Sequence, residues 1–372
     1  MFKKNHKISF FLSSVFVFLL FLQNLGTYKI IFPLLVIFFI ISISFKNDIK
    51  ISAKSFWITI TLIIYLTVDI GISVYHAYPI DISYIRSLYV SFFVFLFTVN
   101  FYENKLSLLG TAIDFVLWIS VSVWVYQFIS LYATGTAIDP IGIITGIPAR
   151  MESPPYLPFK LWRPAGLTWE PGTYATFMSL LLYSSYLINK KVKIIYVLTV
   201  LTFFLSLSVF AVIFGAIFIC AISKEYLLKN KLVLILFLFF ILLFVDLVFK
   251  DYILYRFVDS KTDDKSLLIK QYAVHYWINQ DIYRQLFGSR FSHNDCNCLV
   301  RDSTLFFNMI YTFGVSGFVI MLTFIKKMSY SITSTLFILS IFISKMMIFS
   351  PLIWFAFGVF YLVKGEYENK VR

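Results

Sequence analysis

Residues 232–249 read "LVLILFLFFILLFVDLVF", eighteen positions with a single charge. Coiled as an α-helix, a run of this length matches the roughly 30 Å hydrocarbon core of a bilayer. Such runs recur along the chain, which is 60% hydrophobic, only 14% charged and carries 44 Phe in 372 residues. Its mean hydropathy is +0.84. A soluble domain of this size does not have enough polar surface to cover so much apolar side chain. Membrane β-strands do not fit either, because barrel strands are short and alternate apolar with polar residues. The predicted fold class is all-α: a polytopic integral membrane protein forming one membrane domain over residues 1–372, without linker, low-complexity run or repeat.

Twelve spans are predicted, at 8–22, 30–45, 56–74, 87–102, 108–131, 173–189, 194–207, 209–223, 232–249, 304–325, 329–344 and 349–363. The first follows "MFKKNHK" and lacks a small-residue cleavage site, so it reads as a retained helix rather than a signal peptide. Residues 194–223 form one apolar run of 30. A single helix there would be about 45 Å long, too long for the membrane. Two short spans meeting near "SLS" (206–208) resolve the excess. With that choice the basic clusters "MFKKNHK", "KNDIKISAK", "ENK", "KKVK", "SKEYLLKNK", "KK" and "KGEYENKVR" fall on one side. They hold 18 Lys or Arg against 5 Asp or Glu, a net +13 that equals the charge of the whole chain; the remainder has 14 of each sign. Orientation follows the Lys/Arg bias of short loops, so both termini are expected in the cytoplasm. The basic pI needs no nucleic acid partner.

Two long loops then lie on the outer side, 132–172 and 250–303. Loops of this length are usually functional or disordered, and these are rich in aromatic and apolar residues. The second contains "DKSLLIKQYAVHYWINQDIYRQLFG", where Leu268, Tyr272, Ile278, Ile282, Tyr283 and Leu286 recur near helical spacing, with Gly288 at a capping position. An amphipathic helix is predicted over 265–287. Cys220 lies in a span and reads as a packing residue. Cys296 and Cys298 form "CNC" on the outer side, without the partners of a metal site; no metal and no cofactor are expected.

Because the two loops share a side, their polar residues can converge. The first offers Arg150, Glu152, Lys160, Arg163 and Glu170; the second offers Arg256, His275, Arg284, Arg290, His293, Asn294, Asp295, Arg301 and Asp302. A guanidinium can bind phosphate oxygens bidentately, and a nearby carboxylate or imidazole can take a proton from an attacking hydroxyl. This set suits transfer from a phosphate-linked donor. Plainer readings stand beside it. Arg163 and Glu170 could pair with each other to fix their loop, and Arg301–Asp302 could be a local ion pair. His293 could be an ordinary loop residue, His275 an interfacial one, and His76 a short-loop residue. Asp69, Asp114 and Asp246 near span ends raise a proton path, but no facing Lys or Arg array accompanies them.

At these residues the chain resembles the polysaccharide polymerase and ligase superfamily of bacterial envelopes. "RPAGLTWEP" opening a span carries Arg163, Gly166, Glu170 and Pro171. A later pattern carries Gly288, His293, Asn294, Gly314 and Gly317, within "LFGSRFSHN" and "RDSTLFFNMIYTFGVSGFVIML". The apical hairpin is "LSLSVFAV", without the Arg that often follows Ser in that family. The Glu-Pro form is similar to Wzy-type O-antigen polymerases, whereas the His-Asn element is closer to the ligases. The resemblance implies a GT-C-like, inverting, metal-independent glycosyltransferase of the bacterial inner membrane. Its partners would be undecaprenyl-diphosphate-linked oligosaccharide repeat units, membrane lipids and a chain-length regulator. Arg163, Arg290 and Arg301 would hold the diphosphate, Glu170 or His293 would accept the proton, and Arg150, Asn294 and Trp169 would contact the rest of the substrate. An O-antigen ligase and a flippase or transporter of the same lipid-linked oligosaccharide are the alternatives. No half-to-half similarity of the transporter kind is visible.

Overall fold

The computed structural model describes residues 2–24, 53–75, 82–136, 138–151, 163–206, 208–226, 265–288 and 304–371. Among the described residues the regular structure is entirely helical: α1 Phe2–Phe21, α2 Ala53–Tyr75, α3 Ile82–Tyr102, α4 Leu106–Thr134, α5 Pro140–Thr145, α6 Pro171–Asn189, α7 Ile194–Leu205, α8 Val209–Tyr226, α9 Lys265–Ile278, α10 Ile282–Phe287, α11 Leu305–Met328, α12 Ile332–Phe342 and α13 Pro351–Val371. Helices occupy ten of the twelve predicted spans. The expected spans at 30–45 and 232–249 lie outside the described residues.

Among the described residues four helices are long and apolar enough to cross a membrane on their own: Phe56–Tyr75, Ile85–Tyr102, Leu106–Thr134 and Leu305–Met328. The protein is thus a helical bundle of membrane-protein character. Large apolar side chains such as Phe11, Trp57, Ile64 and Val319 stand exposed on its outside, a surface suited to lipid rather than water. The other helices are short or polar for reasons of position. At 1.5 Å per residue α7 and α12 are about 18 and 16 Å long, less than the hydrocarbon thickness. They work as arms of hairpins: α7 turns at Ser206 into α8, as the length of the 194–223 run predicts, and α12 turns through residues 343–350 into α13.

The centre is α6, which is buried along almost its whole length and packs against α4, α8, α12 and α13. Because protein rather than lipid surrounds it, α6 tolerates Ser and Tyr. Tyr183 stacks flat on Phe337 of α12 with ring centroids 4.1 Å apart, and its hydroxyl donates to the Phe214 carbonyl of α8 at 3.0 Å. Around this core α13 lies along α3, with Trp354 edge-on to Phe92 at 4.7 Å and to Phe324 of α11 at 5.5 Å. The hydroxyls of Ser91, Thr98 and Thr176 donate to the carbonyl one turn back. No water is needed to satisfy them.

Three expectations change. The amphipathic helix predicted over 265–287 is two helices, α9 and α10, because Asp281 starts a new one by accepting the Arg284 amide at 2.8 Å. Cys220 is exposed on α8 rather than packed inside. Asp114 has a cationic partner after all: Lys193, at the start of α7, forms an ion pair with it. Ser185 and Tyr196 also donate to the Asp114 carboxylate, Tyr196 at 3.2 Å. Asn189 donates to the Tyr196 hydroxyl at 3.0 Å. A carboxylate so fully paired joins α4, α6 and α7 at the "KKVK" end of the bundle.

Candidate functional site

The segment "RPAGLTWEP" is an irregular loop that ends on α6. Irregular backbone in an apolar bundle must find partners for its amides and carbonyls, and here α4 supplies them. Gln127 and Trp124 are one turn apart on α4, so they share a face. The Gln127 side chain accepts the Gly166 amide at 2.7 Å and donates to the Gly166 carbonyl at 3.1 Å. The Trp124 indole N–H donates to the Pro164 carbonyl at 3.0 Å. Thr168 closes the turn, its hydroxyl within 2.7 Å of the Ala165 carbonyl and 3.0 Å of the Glu170 carbonyl. On the other flank, the Arg150 amide donates to the Trp169 carbonyl at 2.7 Å and the Arg163 amide to the Met151 carbonyl at 3.1 Å.

Gly166 is required by this geometry. Its φ is +59°, and a Cβ there would lie 2.9 Å from the Tyr174 ring. Tyr174 is itself held by stacking on Trp124 and by a 3.0 Å hydrogen bond with Thr202.

Glu170 is the N-cap residue of α6, with Pro171 in the first helical turn. Pro at that place has no N–H to lose. The Glu170 carboxylate does not cap the helix; its partner is the Thr173 hydroxyl at 3.4 Å. It stays half-buried, facing the tip of the α7–α8 hairpin. The position of a Cβ on Gly172 would be 3.6 Å from both Glu170 Oε1 and Ser208 Oγ. The tip Ser of the hairpin and the Glu of the loop therefore flank the same point. Among the described residues no ion pair joins Arg163 to Glu170, so the simple pairing of those two side chains does not explain their presence.

Of the residues expected to form the site, Arg163, Trp169 and Glu170 are half-buried on this loop and Arg150 is exposed beside it. Arg290, His293, Asn294 and Arg301 lie outside the described residues, as do Cys296 and Cys298. His275 is exposed on α9.

Two glycines of the later pattern, Gly288 and Gly314, meet. α11 breaks at Gly314, with φ +60° and ψ −144° inside the helix, and α10 docks into the break. A Cβ on Gly314 would lie 2.3 Å from the Gln285 carbonyl oxygen and 2.6 Å from the Gly288 nitrogen. One on Gly288, whose φ is +84°, would lie 2.3 Å from the Thr312 carbonyl. One on Gly317 would lie 2.4 Å from the Met309 carbonyl oxygen. The second loop is thus fixed to α11 by direct backbone contact, at the residue from which the 289–303 segment departs.

Several contributors carried no signal in sequence. Trp124 and Gln127 sit inside an apolar run and read as span residues. Asp139 caps α5 by accepting the Gly142 amide at 2.9 Å and also accepts the Ala149 amide at 2.6 Å, which steers the chain into Arg150. An Asp before Pro, "DP", was its only clue. Comparison of this chain with models of known families, with curated proteins and with solved structures finds no match.

Proposed function

We propose that this chain is a surface-polysaccharide polymerase of the bacterial inner membrane, a GT-C-like inverting glycosyltransferase with twelve spans, cytoplasmic termini and an outward-facing site. The reading is supported chiefly by the carboxylate of Glu170. It is held on a braced loop at the head of α6, released from capping duty, and shares its surroundings with the hydroxyl of Ser208. A carboxylate in that situation is available to accept a proton or orient a substrate.

The reaction joins two lipid-linked glycans. A hydroxyl of one repeat unit attacks the anomeric carbon of the growing chain on undecaprenyl diphosphate. A carbon–oxygen bond forms, the bond from that carbon to the diphosphate oxygen breaks, and the lipid diphosphate leaves. The hydroxyl proton passes to Glu170 or His293. Arg163, with Arg290 and Arg301, offsets the charge that grows on the leaving diphosphate. Arg150, Asn294 and Trp169 position the glycan. The exposed apolar residues Tyr272, Ile278, Ile282 and Leu286 on α9 and α10 suit a helix pair lying against lipid.

Deletion of the gene followed by gel analysis of surface polysaccharide tests this. A core bearing one repeat supports the polymerase. Complete loss of added repeats assigns ligation instead, and lipid-linked units trapped on the inner face assign flipping. Complementation with Arg163→Ala should give a single repeat while the protein inserts normally. Glu170→Gln keeps the shape but cannot accept a proton; full-length polymer from Glu170→Gln beside an inactive His293→Ala places the base at His293.

A further inference from the structure

Lys345 lies in the α12–α13 connection, at the tip of the second hairpin. That connection is irregular backbone built into the interior. The Ile348 amide donates to Asn308 Oδ1 at 2.9 Å, the Ser91 hydroxyl to the Phe349 carbonyl at 2.9 Å, and the Trp354 indole N–H to the Ile348 carbonyl at 2.7 Å. Gln23 accepts the Leu352 amide at 3.1 Å and donates to Ser350. Side chains from three other segments thus anchor this stretch, and Lys345 is presented from a fixed place.

Its ammonium lies 5.6 Å from the centroid of the Phe210 ring. Phe210 is in the first turn of α8, two residues past Ser208, and Ser208 is the hydroxyl that flanks Gly172 together with Glu170. Lys345 is half-buried, and among the described residues no carboxylate pairs with it. Of the other partly buried lysines, Lys193 pairs with Asp114 and Lys364 with Glu368, while Lys105 lies over the Phe101 ring at 5.0 Å, at the head of α4 rather than at this hairpin tip. A cation partly withdrawn from water without a counter-ion gives up hydration, and an aromatic face replaces only part of it. An anion arriving beside the Ser208 tip would complete it.

We propose that Lys345 is a substrate-binding cation that holds the phosphate-bearing end of the ligand at the Glu170–Ser208 point. The inference rests on the polymerase reading. It adds a cation that neither long loop supplies, delivered by the second hairpin to the tip of the first.

The test uses the full chain in lipid nanodiscs, with undecaprenyl diphosphate, undecaprenol and inorganic pyrophosphate as probes. Lys345→Gln should weaken undecaprenyl diphosphate about tenfold or more, the loss expected for one charge-assisted contact, and leave undecaprenol unchanged. Lys345→Arg should recover most of the affinity. Pyrophosphate weakened by the same factor shows a contact to the phosphate itself. Pyrophosphate that fails to bind, with the lipid diphosphate still weakened, shows that only the lipid-borne form is held. Equal affinity of Lys345→Gln and the native chain for undecaprenyl diphosphate overturns the role of Lys345 and leaves the polymerase reading standing. An equal loss for undecaprenol also overturns it, because the residue then supports the fold or the lipid tail. A native chain that binds no diphosphate at all overturns both. If Lys345→Gln does not fold, Lys345→Met, which keeps the apolar stem, answers the same question.

Discussion

The loop at Gly166 and the joint at Gly314 both place irregular backbone inside an apolar bundle, and they are held in opposite ways. Around Gly166 itself the first is held by side chains: Gln127 and Trp124 reach across from α4 and satisfy the peptide groups of Pro164 and Gly166. The second is held by backbone against backbone, where α10 enters the break in α11. Side chains can be shortened or can rotate, whereas peptide groups in packed helices cannot. The Gly166 loop should therefore be tunable, and the Gly314 joint should tolerate almost nothing.

The largest effect is expected at the joint. Gly314→Ala forces a residue with a Cβ into a φ/ψ region used almost only by glycine, with backbone atoms already within 2.3–2.7 Å of that Cβ. Strain and overpacking together amount to about 3 kcal/mol or more. Thermal unfolding of the purified protein should show a collapse in stability or recovery. Leu286→Ala should not rescue it, because the atom of Leu286 in the way is its carbonyl carbon. A Gly314→Ala protein as stable as the native one would remove the distinction between the two regions.

Gly166→Ala comes next, at about 2–4 kcal/mol from the positive φ and the approach to Tyr174. Here the obstacle is a ring, so combining it with Tyr174→Leu should recover about 1 kcal/mol or more relative to additivity. The same cycle at Gly314 with Leu286 should give a coupling near zero. Two equal couplings would show that both regions yield in the same way.

The contrast also bears on what can be read from sequence. Helix positions follow from apolar run length, and the break at 206–208 follows from a run too long for one span and charges at both ends. Gly288, Gly314 and Gly317 are visible as a pattern because a backbone contact demands glycine itself. The Gly166 loop depends on Gln127 and Trp124, which satisfy a neighbour some 40 residues away. Nothing in the local pattern of α4 distinguishes them from ordinary span residues. The Asp114–Lys193 pair, 79 positions apart, and Lys345 beside Phe210 are hidden for the same reason, since proximity across a bundle leaves no periodicity. The turn at Asp281 did carry a signal, an Asp at a helix start, which the continuous apolar spacing masks.

Smaller effects separate the two bolts of the Gly166 loop. Gln127→Leu leaves the amide and carbonyl of Gly166 without partners, worth about 1–3 kcal/mol at membrane hydrogen-bond strengths. If the proposed polymerase function holds, polymer length should fall with it, because Arg163 and Glu170 lie on either side of Gly166. Trp124→Phe removes one donor, from the Pro164 carbonyl, and keeps a ring to stack on Tyr174, so its cost should be about 1 kcal/mol or less. If the loop is one unit braced by two bolts, removing the first should loosen it enough to reduce the value of the second. The double variant should then cost at least about 0.5 kcal/mol less than the sum of the singles, measured by thermal unfolding in the same detergent. Strict additivity would mean that the Pro164 and Gly166 ends respond independently. The loop would then be two separate turns, and Arg163 could shift while Glu170 remained in place.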